Sequence, residues 1–109
     1  MLYISFTTIP TRIGNISKVL DSISNQMLQP DKIIINIPKY CIRLKKFYNF
    51  KKIEKIIENS KLKDKVIINK TRDYGPITKI YPIIKLDFIK NDDMIIIIDD
   101  DIDYDKKKS

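Results

Sequence analysis

One stretch constrains the fold more than any other. Met94 to Asp105 reads Met-Ile-Ile-Ile-Ile-Asp-Asp-Asp-Ile-Asp-Tyr-Asp, four consecutive isoleucines running into three aspartates. A β-branched run of this kind, apolar at every position, reads as a strand buried on both faces, as in the interior of a parallel sheet. The aspartates that follow are stable only in water or around a cation. Open α/β sheets build their ligand sites at the C-terminal tips of such strands. The remainder of the chain is therefore expected to place this tip.

Three further strand-like runs precede it. Leu2–Thr7 combines aliphatic, aromatic and β-branched residues, and Ile33–Ile37 and Val66–Asn69 are short apolar stretches bounded by Pro38 and by polar turns. Between them the apolar spacing changes to a helical period. Ile16, Val19, Leu20, Ile23 and Met27 predict an amphipathic helix over 15–28, with Asn15 as its N-cap and Pro30 beyond its end. Ile53, Ile56 and Ile57 predict a second helix over 47–59. Ile77, Ile80, Tyr81, Ile84 and Phe88 predict a third over 77–90, which Pro82 should kink or delay. Thr8–Arg12 reads as a loop because of Pro10, and 61–65 as a polar turn. Tyr3 and Tyr81 read as core residues.

Strands at 2–7, 33–37, 66–69 and 94–98 alternating with helices predict one α/β domain over 1–109. It should be a three-layer sandwich around a mainly parallel sheet of about four strands, truncated and Rossmann-like. Right-handed crossovers then gather the strand C-termini on one edge. That edge should carry 7–12, 38–40, 69–76 and 99–105. No Gly-rich turn follows the first strand, which counts against dinucleotide binding.

Composition narrows the chemistry. Of 109 residues, 43% are hydrophobic and 32% charged, which suits a packed domain and argues against disorder. The 25 isoleucines and abundant lysines look like AT-rich coding sequence, from a virus or another AT-rich genome. The formal net charge of +7 invites a nucleic-acid role, but the lysines interleave with apolar residues on helix faces and in the tail Lys106–Lys108, so solvated faces are the better reading. With no His and only Cys41, the Ser-His-Asp and Cys-His nucleophile systems are excluded within the chain, and a zinc site is disfavoured. A lone Cys also suggests a reducing, cytoplasmic setting. No apolar run reaches the ~20 residues of a transmembrane helix, and the opening residues lack the basic region of a signal peptide.

Two charged groups share the expected edge. One is the carboxylate cluster Asp99, Asp100, Asp101, Asp103 and Asp105; the other is Lys70 and Arg72, with Lys79 beyond them. Clustered carboxylates repel, and a hard divalent cation such as Mn²⁺ or Mg²⁺ relieves the repulsion while keeping open positions for phosphate oxygens. Arg and Lys nearby would complete a diphosphate site. An EF-hand is rejected, because its sixth position is Tyr104 where a Gly is needed. The plainer alternative is an acidic tail balanced by Lys106–Lys108.

Thr7-Thr8-Ile9-Pro10-Thr11-Arg12 after the first strand, Arg72-Asp73-Tyr74-Gly75-Pro76-Ile77-Thr78-Lys79 before the third helix, and Ile95 to Asp101 together resemble the nucleotide-binding half of GT-A glycosyltransferases of the family-2 type, viral and bacterial capsule-type transferases included. The resemblance implies that Asp99 and Asp101 hold Mn²⁺ or Mg²⁺ and through it a nucleotide-diphosphate sugar. It implies that Asp100 meets the ribose or the metal. It further implies that Thr8, Pro10 and Arg12 meet base and ribose, and that Arg72, Asp73 and Lys79 lie against the nucleotide. No residue stands out as catalytic.

The sequence departs from that pattern in two places. Ile37-Pro38-Lys39 stands where many such enzymes carry a base-reading acid, and the sequence reaches Ser109 eight residues after Asp101. A truncated or split transferase is therefore expected, with the half that binds a glycan or protein acceptor supplied by a partner chain. A remnant that binds donor only, and a metal-dependent nucleotidyl or phosphoryl transferase, are the alternatives.

Overall fold

The computed structural model of the chain describes residues 1–42, 44–72, 89–90 and 92–98. In chain order it contains β1 (Leu2–Thr7), α1 (Asn15–Ser24), β2 (Lys32–Pro38), a small hairpin of β3 (Tyr40–Cys41) and β4 (Lys46–Phe47), α2 (Phe50–Glu58), β5 (Val66–Thr71) and β6 (Met94–Ile97). Four strands form one parallel sheet in the order β5, β2, β1, β6. The expected α/β, Rossmann-like architecture is thus present. β1 sits centrally because it is paired on both sides, Ile4 lying opposite Ile33 of β2 and Ile96 of β6. The chain steps outward from β1 to β2 to β5, then returns past both to lay β6 on the far side of β1.

One face of the sheet carries both described helices. Ile4 and Phe6 of β1 and Ile33, Ile35 and Ile37 of β2 form a core with Ile16, Val19, Leu20 and Ile23 of α1 and Ile53 and Ile57 of α2. The i, i+3, i+4, i+7 spacing of the α1 residues puts all four on one stripe. Each is at most 1% exposed, and burial of one such side chain stabilises the fold by about 1.5–3 kcal/mol. The opposite face buries Tyr3 and Ile34, with Ile67, Ile89 and Ile95 packed against them. The third layer expected there falls on 77–90, outside the described residues apart from Ile89 and Lys90. Those two are not helical, so the expected helix does not extend to 90.

Several boundaries move for local reasons. α1 stops at Ser24 rather than 28, and Met27, expected on its apolar stripe, is fully exposed. The Gln29 side-chain amide folds back over the end of the helix, donating to the Ile23 carbonyl, which also accepts from the Gln26 N–H, and to the Gln26 carbonyl just beyond it. Asn15 is the first helical residue, and the cap position belongs to Gly14. α2 starts at Phe50 rather than 47, because Lys46 and Phe47 pair with Cys41 and Tyr40. Asn49 then caps it, its side chain accepting from the Lys52 N–H at 3.1 Å. β2 spans one more residue at each end than 33–37, and Pro38 is its last residue rather than its stop. β5 runs two residues past 69, and β6 ends one residue short of 98.

β2 is also not apolar throughout. Fully buried Asn36 donates to Ser5 Oγ at 2.8 Å and accepts from the Asn69 amide at 2.9 Å. A three-residue polar ladder therefore crosses β1, β2 and β5 toward their C-terminal ends. Among the described residues no helix is long and apolar enough to cross a membrane.

Candidate functional site

The C-terminal edge of the sheet is built from the segments after β1, β2 and β5 and from the end of β6. After β1, Pro10–Arg12 forms one 3-10 turn with Pro at its first position, where a missing N–H costs nothing. The turn is closed by the Arg12 N–H donating to the Ile9 carbonyl at 2.9 Å. Thr8 is buried, and its hydroxyl donates to the Arg12 carbonyl at 3.1 Å. Its own carbonyl accepts from the Tyr48 hydroxyl at 2.6 Å. Thr7 Oγ1 donates to the Asn36 carbonyl at 2.6 Å, tying the root of the loop to β2. Of the three residues expected here, Thr8 shapes the loop, while Pro10 is half-buried and Arg12 exposed.

After β2 comes the hairpin, a feature absent from the sequence reading. Cys41 pairs with Lys46, leaving the loop 42–45, which closes with Lys45 in the left-handed region at φ 53°. Leu44 packs on the main core and pins the loop from inside, whereas Ile42 is 65% exposed and Phe47 75% exposed. The Tyr48 N–H donates to the Lys39 carbonyl at 3.2 Å, closing the hairpin at its base. The Tyr40 and Phe47 rings meet edge to face, with centroids 4.8 Å apart.

Between this hairpin and the end of β5 lies an open cleft of about 710 Å³, lined by Pro38, Lys39, Tyr40, Ile42, Lys70, Thr71 and Arg72. Pro38 and Thr71 face each other in the sheet register, so the cleft floor is the last rung between β2 and β5. Lys70 Nζ lies 4.9 Å from the centre of the Phe50 ring, a cation–π contact that steers its charge. No Asp or Glu occurs between Lys32 and Ile53 or between Lys65 and Arg72. A cleft with three cations, an aromatic ring and an aliphatic side chain suits an anion carrying an apolar part.

No protein-family model, curated protein or solved structure matches the chain. The site rests on its own geometry.

Of the residues expected to act, the structure describes Thr8, Pro10, Arg12 and Arg72. Asp73, Lys79, Asp99, Asp100 and Asp101 lie outside the described residues. The described chain does lead toward the aspartates: Ser5 pairs with Ile97, and the Ile98 N–H donates to the Ser5 carbonyl at 3.0 Å, so the residue preceding Asp99 is held beside β1. Among the described residues no three His, Cys, Asp or Glu gather as a metal site. Sequence reasoning placed Lys39 and Tyr40 on this edge without giving them a role, and missed Ile42. The acid-free run from Lys32 to Ile53 was their signal, but the pairing that turns Tyr40 and Ile42 toward the cleft was not readable.

The opposite edge is a charge clamp. The Met1 ammonium meets Asp93 Oδ1 at 2.9 Å, and the Leu2 N–H donates to Asp31 at 2.7 Å. The Lys90 N–H, donating to Asp93 at 2.8 Å, is the main reason the Asp93 carboxyl is held below its usual range, followed by the Met1 ammonium. The same pair raises the Met1 ammonium above its ordinary value. Burial, and then the carboxylates of Asp93 and Asp31, raise the Tyr3 phenol.

Proposed function

We propose that the chain binds a nucleotide-diphosphate sugar at the C-terminal edge of its sheet and serves glycosyl transfer from it. The strand order carries this reading. β2 and β6 flank β1 on opposite sides, and the crevice at such a reversal is where open α/β sheets bind ligands. The Pro10–Arg12 turn follows β1 at this crevice, and on its other side Ile98 is held to Ser5, with Asp99, Asp100 and Asp101 next in sequence.

In the transfer, the bond between the anomeric carbon and the diphosphate oxygen breaks, and the acceptor oxygen bonds to that carbon. The diphosphate leaves with its electron pair and the acceptor proton passes to a base. Mn²⁺ or Mg²⁺ on the hard carboxylates of Asp99 and Asp101 would neutralise the leaving diphosphate. Arg72 and Lys79 would add fixed positive charge to it. Since the Thr8 hydroxyl is engaged with Arg12, recognition of base and ribose would fall to Pro10 and Arg12, with Asp73 and Asp100 as the further polar contacts to the nucleotide that the resemblance implies. Thermal shift of the chain with UDP- and GDP-sugars, with and without Mn²⁺, tests this. The expected result is metal-dependent stabilisation by one donor, abolished in Asp99→Ala/Asp101→Ala. Its absence for every donor, or its survival in that variant, refutes the reading.

A second reading has its own support. β6 is one of the two edge strands of the sheet, with Met94 62% and Ile96 38% exposed, a surface suited to a partner chain that supplies the acceptor half. Donor stabilisation without transfer to any acceptor by the isolated chain distinguishes it.

A further inference from the structure

We infer that the β3–β4 hairpin and the adjoining cleft dock the chain on an anionic membrane surface, with the hairpin entering the headgroup–acyl boundary. This goes beyond the donor reading and does not depend on it.

Three observations converge. First, Ile42 and Phe47 project from one hairpin at 65% and 75% exposure, although Leu44 in the same loop turns into the core. Exposed apolar side chains on a pinned hairpin, Ile42 in its loop and Phe47 in the rung opposite Tyr40, are costly in water and are matched by the acyl boundary of a bilayer. Second, the ground around them is positive. Lys39, Lys70 and Arg72 line the cleft into which Ile42 also faces, Lys45 and Lys46 close the hairpin, and no acid interrupts either segment in the sequence. Anionic headgroups attract each basic residue held near the surface. Third, the cleft is open and Ile42 lines it beside Lys39 and Lys70, so a phosphate headgroup can meet the lysines while Ile42 and Phe47 meet the acyl boundary. Tyr40, joining hairpin to cleft, belongs at that interface, as amphipathic rings do. A single-stranded nucleic acid fits less well. Tyr40 and Phe47 are engaged with each other edge to face, and Ile42 has no ring on which a base could stack.

The test is sedimentation of the full chain with vesicles of phosphatidylcholine alone and of phosphatidylcholine doped with phosphatidylglycerol, at low and high salt. The chain should sediment with the anionic vesicles only, and less at high salt. Ile42→Ser/Phe47→Ser should weaken partitioning about tenfold or more, since two apolar side chains leave the acyl boundary. Lys39→Gln and Lys70→Gln should each weaken it about fivefold, and Lys61→Gln should not change it. Arg72, Lys70 and the aspartates are untouched in Ile42→Ser/Phe47→Ser and in Lys39→Gln, so donor stabilisation should persist in those variants and the two readings fail separately. Ile42→Ser alone, at a position pairing with no strand, guards against loss of the hairpin. Failure to sediment with anionic vesicles overturns the inference. So does equal binding by Ile42→Ser/Phe47→Ser and the parent, which would mean attraction by net charge alone. So does binding of a single-stranded oligonucleotide that the same substitutions abolish and anionic vesicles do not displace.

Discussion

Replacing Asn36 by Leu should be among the most damaging single changes in the chain, although it keeps side-chain size and adds apolar surface. Asn36 is fully buried and bonds Ser5 Oγ at 2.8 Å and the Asn69 amide at 2.9 Å. Losing two hydrogen bonds costs about 1 kcal/mol each, and leaving their former partners in a buried setting adds about 1 kcal/mol apiece, less where water can reach. Ser5 is fully buried and Asn69 only half-buried, so the penalty falls mostly on the hydroxyl. The sum is roughly 2–4 kcal/mol, a large share of the about 5–15 kcal/mol that holds a domain of this size.

Urea unfolding followed by circular dichroism should show the midpoint falling by about 1–2 M with the slope unchanged. The thermal midpoint should fall by roughly 10–20 °C. Size and hydrophobicity cannot account for such a loss, so a double-mutant cycle isolates the cause. Ser5→Ala should cost less in the Asn36→Leu background than in the parent, because the Asn36–Ser5 bond is already gone there. Ser5→Ala in the parent should destabilise. If Asn36→Leu costs under about 0.5 kcal/mol, or the two changes add without coupling, the ladder is not a stabilising network.

Other expectations follow from single contacts. Tyr48→Phe removes the 2.6 Å bond to the Thr8 carbonyl; it should cost about 1–2 kcal/mol and speed amide exchange in 8–12, measured by hydrogen-exchange mass spectrometry. Asn49→Ala removes the cap of α2 and should lower stability by about 1 kcal/mol in urea titration, while Asn49→Asp should retain most of it. Because Asp93 is held below its usual range, its contribution is present above the unfolded carboxyl value and lost as pH falls through the folded one; Asp93→Asn should therefore flatten the acid arm of a thermal-midpoint profile. Tyr3 is raised, so its contribution is complete below the unfolded phenol value and lost as pH climbs toward the folded one, and Tyr3→Phe should flatten the alkaline arm.

The strands were legible because the runs at 2–7 and 94–98 are apolar or β-branched nearly throughout, but the expectation that 94–98 is buried on both faces fails: β6 lies at an edge of the sheet and exposes Met94 and Ile96. α1 was legible from its stripe, but not its end, since Met27 continues the helical spacing and nothing local shows that Gln29 will fold back onto the Ile23 carbonyl. The hairpin escaped for a related reason. Two paired residues on each side are too few to show a period, and 47–59 reads as helix until Phe47 is found opposite Tyr40. At the site, the residue types were legible and their duties were not. Thr8 looks like a ligand-facing hydroxyl in the sequence, and only three dimensions show it bonded to Arg12.

The polar ladder explains why one edge of this sheet can carry chemistry. Toward their N-terminal ends, β1, β2 and β5 put Tyr3, Ile34 and Ile67 on the face away from α1 and α2; two residues further along each strand that face changes to Ser5, Asn36 and Asn69. The change costs apolar burial but fixes strand register, because a shift by one residue would separate every member of the ladder. It also reaches the edge directly: Thr7, two residues beyond Ser5, bonds the Asn36 carbonyl and anchors the loop that carries Arg12. Rigid positioning of that loop is thus a consequence of polar residues placed inside the strands, and a substitution in the ladder should be felt first at 8–12, before it is felt at the charge clamp on the opposite edge.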